Sequence, residues 1–410
     1  MNRASSRSLY TAMPGMNIVH VIITLDPRHG GPPMIAAGIA AAQAQLGHDV
    51  SIIATADADR LDVIDKATRD IPGFQKVRLH QLPSPRGIEK FRASQARRKL
   101  DELVPRADAV HLHSIWESII RVGAERARHF HKPYFILVNG MLHPWSLQQS
   151  ALKKRVAMSL FYRRMFNGAA ALHVGNEAEK RVIAPLKLKP PSVVIPNGVF
   201  LEEFADLPSA HAFHDAHPEL QGKPYILFLS RLHYKKGLDY LADAFAKVAA
   251  RHGDVQLVVA GPDGGERANF EQRIQAAGIS QRVHIVGPQY GRDKLAALAG
   301  AVCFCLPSRQ EGFSVAITEA LACGLPVVNS EDCNFPEVAT QGAGFVTPLD
   351  AGAVAEALCK IIENHDARRG MSLAGRQYVE RNLTWPIVAE KTVAMYEQAI
   401  PRSARMTIGG

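Results

Sequence analysis

Two carboxylates eight positions apart mark the most chemically loaded stretch of the chain, LPSRQEGFSVAITEALACGLPVV at 306–328. A strand ends at Pro307 and Ser308, and a loop carrying Glu311 leads into a helix expected from about Ser314 to Cys323, with Glu319 inside it. The backbone N–H groups of Gly312, Phe313, Ser314 and Val315 form the start of that helix, where unpaired donors and the positive end of the helix dipole suit a diphosphate. Gly312 lets the backbone approach such a group closely. Glu319 stands about two helical turns beyond Glu311, so the two can meet different parts of one ligand, sugar hydroxyls at one and a ribose at the other. Spacing alone fits a surface carboxylate and a helix-face charge as well.

A second segment, SRLHYKKGLDY at 230–240, again follows a strand and opens a helix, and it supplies Arg231, Lys235 and Lys236. Cations there would face the same phosphates; a solvated basic turn is the plain alternative. Near the N-terminus, His29, Gly30, Gly31 and Pro32 lie between a strand and a helix, where glycine allows backbone contact with phosphate or sugar. The run His111, Leu112, His113 ends another strand, and period-two alternation points both imidazoles to one side. Asp57 and Asp59 have the spacing of a metal-binding pair but sit in a polar loop and read as surface charge, and no other metal-ligand cluster is visible.

These groups need a scaffold that delivers them to one place. Apolar runs at 17–25, 49–54, 107–113, 133–138 and 170–174 read as buried strands separated by helical stretches, as at 33–47, where Ile35, Ile39, Ala42 and Leu46 share a face. The rhythm lapses over 200–222 and resumes with strands at 225–230, 255–260, 283–286, 301–306 and 325–329. Strand and helix in alternation make parallel, doubly wound sheets, and two such domains in tandem leave a cleft between the carboxyl ends of their strands. The run from about 353 to 398 is helical, broken near Thr384, Trp385 and Pro386, and its last helix is expected to cross back onto the first domain.

At 410 residues, 47% apolar and 21% charged, the chain has the make-up of a two-domain globular protein. No run of apolar residues is long enough to span a bilayer as a helix. The five cysteines lack metal-ligand pairing and read as reduced thiols of a cytoplasmic protein. Residues 1–200 hold 28 Lys and Arg against 15 Asp and Glu, whereas residues 201–410 hold 20 against 24, so the net charge of +9 is wholly N-terminal. That asymmetry suits an anionic partner such as membrane phospholipid or a phosphate-bearing acceptor. No recognition module supports nucleic acid.

The 306–328 stretch, with 230–240, the Gly30–Gly31 turn, the run Asp108–His113 and Ile195–Val199, resembles the retaining family 4 glycosyltransferases and their Glu-x7-Glu signature, bacterial polysaccharide-biosynthesis type, over nearly the whole chain. The resemblance implies the α/β GT-B fold: a Rossmann-like acceptor-binding domain at 1–205, a Rossmann-like nucleotide-sugar-binding domain at 206–385, and a crossing helix at 386–410. It implies that Glu311 and His113 contact the transferred sugar, Glu319 the donor ribose, and Arg231 and Lys236 the diphosphate, with Gly30 and Gly31 beside the donor phosphates or the acceptor. Many relatives begin the Asn139–Trp145 loop with His-Gly or Arg-Gly, and Asn139 departs from that. The function implied is retaining, metal-independent transfer of a hexose from a nucleotide-diphosphate sugar to a saccharide or lipid-linked saccharide, without a cofactor, at the cytoplasmic face of a membrane. It would serve exopolysaccharide, O-antigen or glycolipid assembly. Two other readings stand beside it, a non-catalytic nucleotide-sugar-binding subunit and another GT-B enzyme such as an epimerase. A phosphorylase would need a pyridoxal phosphate lysine motif that is not found. Residues 261–265, GPDGG, do not give a dehydrogenase fingerprint after the first strand.

Overall fold

Strands buried on both faces need apolar residues at every position, and the continuous runs read above become the inner strands of two parallel sheets, with the run at 283–286 forming an edge strand. The computed structural model describes residues 15–142 and 162–400. The first sheet contains β1 (Asn17–Val21), β2 (Asp49–Ala56), β3 (Arg78–Pro83), β4 (Ala109–His113), β5 (Tyr134–Leu137), β6 (Ala171–Val174) and β7 (Ser192–Val194). Its strand order is β3-β2-β1-β4-β5-β6-β7. The second contains β8 (Tyr225–Leu229), β9 (Gln256–Ala260), β10 (Val283–Gly287), β11 (Cys303–Leu306), β12 (Val327–Ser330) and β13 (Gly344–Thr347), in the order β10-β9-β8-β11-β12-β13. Both are doubly wound, with the order reversing between β1 and β4 and between β8 and β11, where such sheets open a ligand crevice.

The helix Gly31–Gln45 departs from the one-faced pattern expected of it. Residues Ala36 to Ala44 are buried all round, and Leu46, expected on the buried face, is exposed beyond the helix end. A helix apolar on every side is one enclosed on every side. Here the sheet covers one face and the helix Trp385–Ala399 covers another. The two helices meet so closely that a Cβ on Gly38 would lie 2.5 Å from the Trp385 ring. Before this crossing the C-terminal region breaks twice, at Asn364, whose side chain caps the next helix through Ala367 N–H (2.9 Å), and at Thr384.

Between sheet and helices lies a polar layer in an otherwise apolar core. His20, His111, His113 and His173, from β1, β4 and β6, are fully buried. One set of neutral tautomers satisfies the chain they form. His173 Nε2–H donates to the Ile195 carbonyl (2.8 Å), His111 Nε2–H to His173 Nδ1 (3.4 Å), and the Tyr396 hydroxyl to His111 Nδ1 (2.7 Å). Gln43 Nε2 donates to Tyr396 (3.2 Å) and Thr392 (2.8 Å), while Gln43 Oε1 accepts from His20 Nε2–H (2.8 Å). His20 Nδ1 accepts from His113 Nε2–H (2.8 Å), leaving His113 Nδ1 without a partner. The layer thus fastens the crossing helix to the first sheet.

Burial lowers all four rings, His20 and His173 to about 4 and His111 and His113 well below their ordinary value. Unfolded histidines take up protons near pH 6.5 and these folded ones do not, so their contribution is intact above pH 6.5 and is lost as pH falls toward 4. At pH 5 the loss is on the order of 2 kcal/mol for each ring. Urea unfolding should show stability falling by several kcal/mol between pH 7.5 and 5; a flat profile over that interval would contradict the neutral chain.

Candidate functional site

Every loop that enters the space between the two sheets leaves the carboxyl end of a parallel strand. A cavity of about 620 Å³ is lined on one side by Gly30, Gly31, Asn139, Gly140 and Glu179, and on the other by Arg231, Lys236 and Glu311 to Ala316. Gly30, at φ 81° and ψ −141°, takes a conformation open to glycine, and it delivers the chain straight into the helix start at Gly31.

Glu311 is almost wholly enclosed and accepts from Lys236 Nζ (2.6 Å) and the Ser308 hydroxyl (2.7 Å). Lys236 ends a single 3-10 turn, Tyr234–Lys236, capped by His233 Nδ1 accepting from Lys235 N–H (3.2 Å). Arg309 bolts this turn to the Glu311 loop: its N–H donates to the Lys235 carbonyl (2.7 Å), its guanidinium grips Asp239 (2.8 and 2.5 Å) and lies 4.2 Å over the Tyr234 ring. Arg231 lines the same cavity and makes no ion pair among the described residues. The helix proper is Val315–Ala322, with Ser314 as its N-cap accepting from Ile317 N–H (3.3 Å). Among the described residues, the N–H groups of Gly312, Phe313, Ser314 and Val315 donate to no protein group. Two cations and four free donors on one wall are groups that can hold an anion.

The structure therefore brings together Gly30, Gly31, Arg231, Lys236, Glu311 and Gly312 to Val315. Glu319 and His113 stand apart from them. Glu319 is not among the lining residues and pairs with Lys294 (2.6 Å). Burial alone would depress the Lys294 ammonium, but Glu319 and then Glu203 outweigh it and raise it. His113, expected to touch the transferred sugar, is fully buried and lines neither cavity: its Nε2 is used on His20 beneath the sheet, and its Nδ1 has no partner among the described residues. Buried imidazole needs partners, and the core supplies one of the two for this ring. His143, Pro144 and Trp145 lie outside the described residues.

Two contributors escaped the sequence reading. Glu179 is a buried carboxylate on the first wall, its pKa raised by burial against the pull of N–H groups from Gly175 (2.7 Å) and Gly140. The spacing Asn176-x-x-Glu179 is that of a capping box, which turns the carboxylate back over the helix start, but nothing local shows that it also meets Gly140. Arg309 was hidden because its partner, Asp239, is 70 residues away. As to metals, ring nitrogens of His20, His111 and His113 lie within 4.8 Å of one another, as do groups of His252, Cys359 and Glu363. In the first cluster the His20–His113 and His111–Tyr396 hydrogen bonds already occupy one nitrogen of each ring.

A second cavity, about 840 Å³, lies in the first half beside the turn Arg28–Gly31. Asp26 at its floor binds Arg28 (2.8 Å) and Arg60 (2.9 Å), Arg60 being the main reason its carboxyl is held far below the usual range. Arg86 and Lys90 are left to face the cavity, against an apolar wall that includes Trp116 and Ile119.

Residues 30–198 match a family model described as glycosyl transferase 4-like domain, and residues 210–378 one described as glycosyl transferases group 1. The chain is 30% identical over 274 residues to a phosphatidyl-myo-inositol mannosyltransferase of Mycobacterium leprae, covering 66% of this chain and 64% of that protein. It is 32% identical over 176 residues to a GDP-mannose-dependent phosphatidylinositol monomannoside mannosyltransferase of Corynebacterium glutamicum, covering 41% and 45%. The matched stretches thus span less than two thirds of these relatives. Among solved structures, Anabaena HepE in complex with UDP and glucose superposes with a TM-score of 0.73 at 19% identity over 93% of this chain and all of that one. The sucrose-phosphate synthase of Thermosynechococcus elongatus gives 0.69 at 20% identity, covering 93% and 98%. These likenesses carry the architecture, two Rossmann-like domains of GT-B type. With both halves matched by its models, the chain belongs to family 4 of the glycosyltransferases.

Proposed function

We propose that this chain transfers a hexose from a nucleoside-diphosphate sugar, held in the 620 Å³ cavity, to a hydroxyl of an acceptor held in the adjoining 840 Å³ cavity. The observation that carries this reading is the wall of Arg231, Lys236 and the free N–H groups of Gly312 to Val315, with Glu311 set among them. The bond from the anomeric carbon to the diphosphate breaks as the bond to the acceptor oxygen forms, and the acceptor proton passes to a phosphate oxygen of the leaving group. Attack from the face that the diphosphate leaves retains configuration. The charge on the departing nucleotide is met by Arg231, Lys236 and backbone donors, so the protein's own groups can do this work without a metal or another cofactor. Glu311 orients the sugar, and Glu319, paired with Lys294, lies about one turn into the helix that starts at Val315, where it would meet the ribose. We read the domains as 1–205, 206–385 and 386–410, as the resemblance implies.

GDP-mannose is named as the donor of one relative, and a structural neighbour holds UDP and glucose, so both nucleotides belong in the first binding tests. Phosphatidylinositol in the relatives' names fits a glycolipid acceptor here. The apolar wall of the second cavity and the basic pair Arg86 and Lys90 favour a lipid with an anionic headgroup. Among the described residues no helix is long and apolar enough to cross a membrane. Beside that cavity, however, Ile88 and Phe91 are 60% and 76% exposed, between Arg86, Lys90 and Arg92. Apolar side chains ringed by cations suit an anionic bilayer surface at the cytoplasmic face.

Glu311→Gln should lower kcat by about 10²-fold or more while the Kd for a nucleoside diphosphate changes only several-fold; an unchanged kcat would remove Glu311 from its role. The double variant Ile88→Ser, Phe91→Ser should lose most sedimentation with phosphatidylglycerol vesicles and keep its fold; undiminished sedimentation would place membrane contact elsewhere.

A further inference from the structure

Across a trans peptide the C=O and the N–H point in opposite directions, so whatever holds the carbonyls of a loop decides where its N–H groups face. In the donor loop both carbonyls that matter are held. Asn334 Nδ2 donates to the Glu311 carbonyl (3.0 Å), and Asn176 Nδ2 donates to the Gly312 carbonyl (2.5 Å). The N–H groups of Gly312 and Phe313 are thereby turned the other way, and they are two of the donors without a protein partner.

Asn334 belongs to the same half as the loop, whereas Asn176 comes from the opposite half. It is the N-cap of the helix Glu177–Ile183, and its Oδ1 accepts from Glu179 N–H (2.8 Å). That bond leaves the amide nitrogen for the far side, where it meets the Gly312 carbonyl and, at 3.4 Å, the Asn334 carbonyl. Around this bridge the two backbones touch. A Cβ on Gly140 would lie 3.4 Å from Gly312 Cα, and one on Gly175 would lie 3.1 Å from Phe313 Cβ.

We propose that Asn176 is a positioning residue for the donor diphosphate: reaching across the cleft, it fixes the Gly312 carbonyl outward and so presents Phe313 N–H to the phosphates. The anion site is then complete only while the two halves are in contact, which links donor binding to closure. This rests on the reading of the 620 Å³ cavity as a nucleoside-diphosphate site.

Asn176 has two jobs, and substitutions separate them. Serine is as good an N-cap as asparagine, but its hydroxyl is too short to reach Gly312. Aspartate also caps, and it sets a carboxylate against the Gly312 carbonyl. Calorimetry on the full chain with GDP, UDP, GMP and UMP should show Asn176→Ser binding the preferred diphosphate about 5- to 10-fold more weakly, the size of one lost hydrogen bond. Its Tm without ligand should stay near that of the wild type, and binding of the matching monophosphate, which lacks the β-phosphate, should change less. Asn176→Asp should keep its Tm and bind the diphosphate more weakly still. Diphosphate binding by Asn176→Ser as tight as wild type would overturn the proposal, and so would equal weakening of the mono- and diphosphate. Failure of the wild-type chain to bind either diphosphate would remove the donor-site reading itself, and this proposal with it.

Discussion

An ammonium and a carboxylate 2.6 Å apart, Lys236 and Glu311, join the two turns on which the rest of the cleft depends. Those turns follow β8 and β11, neighbours in the second sheet, at the point where its strand order reverses. Strand pairing alone puts their ends side by side. The ion pair, reinforced by Arg309 on Asp239, converts that proximity into one rigid wall. A carboxylate this enclosed needs its cation, because an unpaired buried charge costs several kcal/mol. The same pair also leaves one cation, Arg231, and a row of backbone donors uncommitted.

The first half answers a different constraint. Its task is to bring glycine-rich turns and the Asn176 cap up to that wall, and its own core must hold them there. The helix beginning at Gly31 is trapped between the sheet and the crossing helix Trp385–Ala399, with Gly38 providing the room for Trp385. A crossing helix held only by apolar contact could slide; the chain from His113 through Gln43 and Tyr396 to His173 specifies one register. The chain segment at Ile195–Val199 contributes twice, by accepting from His173 and by exchanging backbone hydrogen bonds with Leu383 and Trp385 (2.9 and 3.0 Å). The corner Asn197–Gly198 is therefore where the start of the crossing helix is tied to the first half.

What could be read in the sequence was whatever leaves a local pattern. Inner strands announce themselves by continuous apolar runs, and all nine were visible, together with the edge strand β10, whose VHIV run is also apolar. β3, β7 and β13 were not, because outer strands are half-exposed and need no such run. The Glu311 loop was legible because its residues are contiguous, Glu311 to Val315 in five positions. Side chains whose role depends on distant partners were not: Glu179, Asn176 and Arg309 look like ordinary polar residues until the sheets set them opposite Gly140, Gly312 and Asp239. The burial of His113 was not legible either, since strand alternation gives a side chain's face but not whether that face meets the cleft or the core.

The central claim is that Arg231, Lys236 and the Gly312–Val315 backbone share one diphosphate. A crystal structure of the chain with GDP or UDP tests it most directly. The account predicts the β-phosphate within hydrogen-bonding distance of Arg231, Lys236 and at least one of those N–H groups, with Asn176 still on the Gly312 carbonyl. A nucleotide seated elsewhere, its phosphates away from both cations, would contradict it.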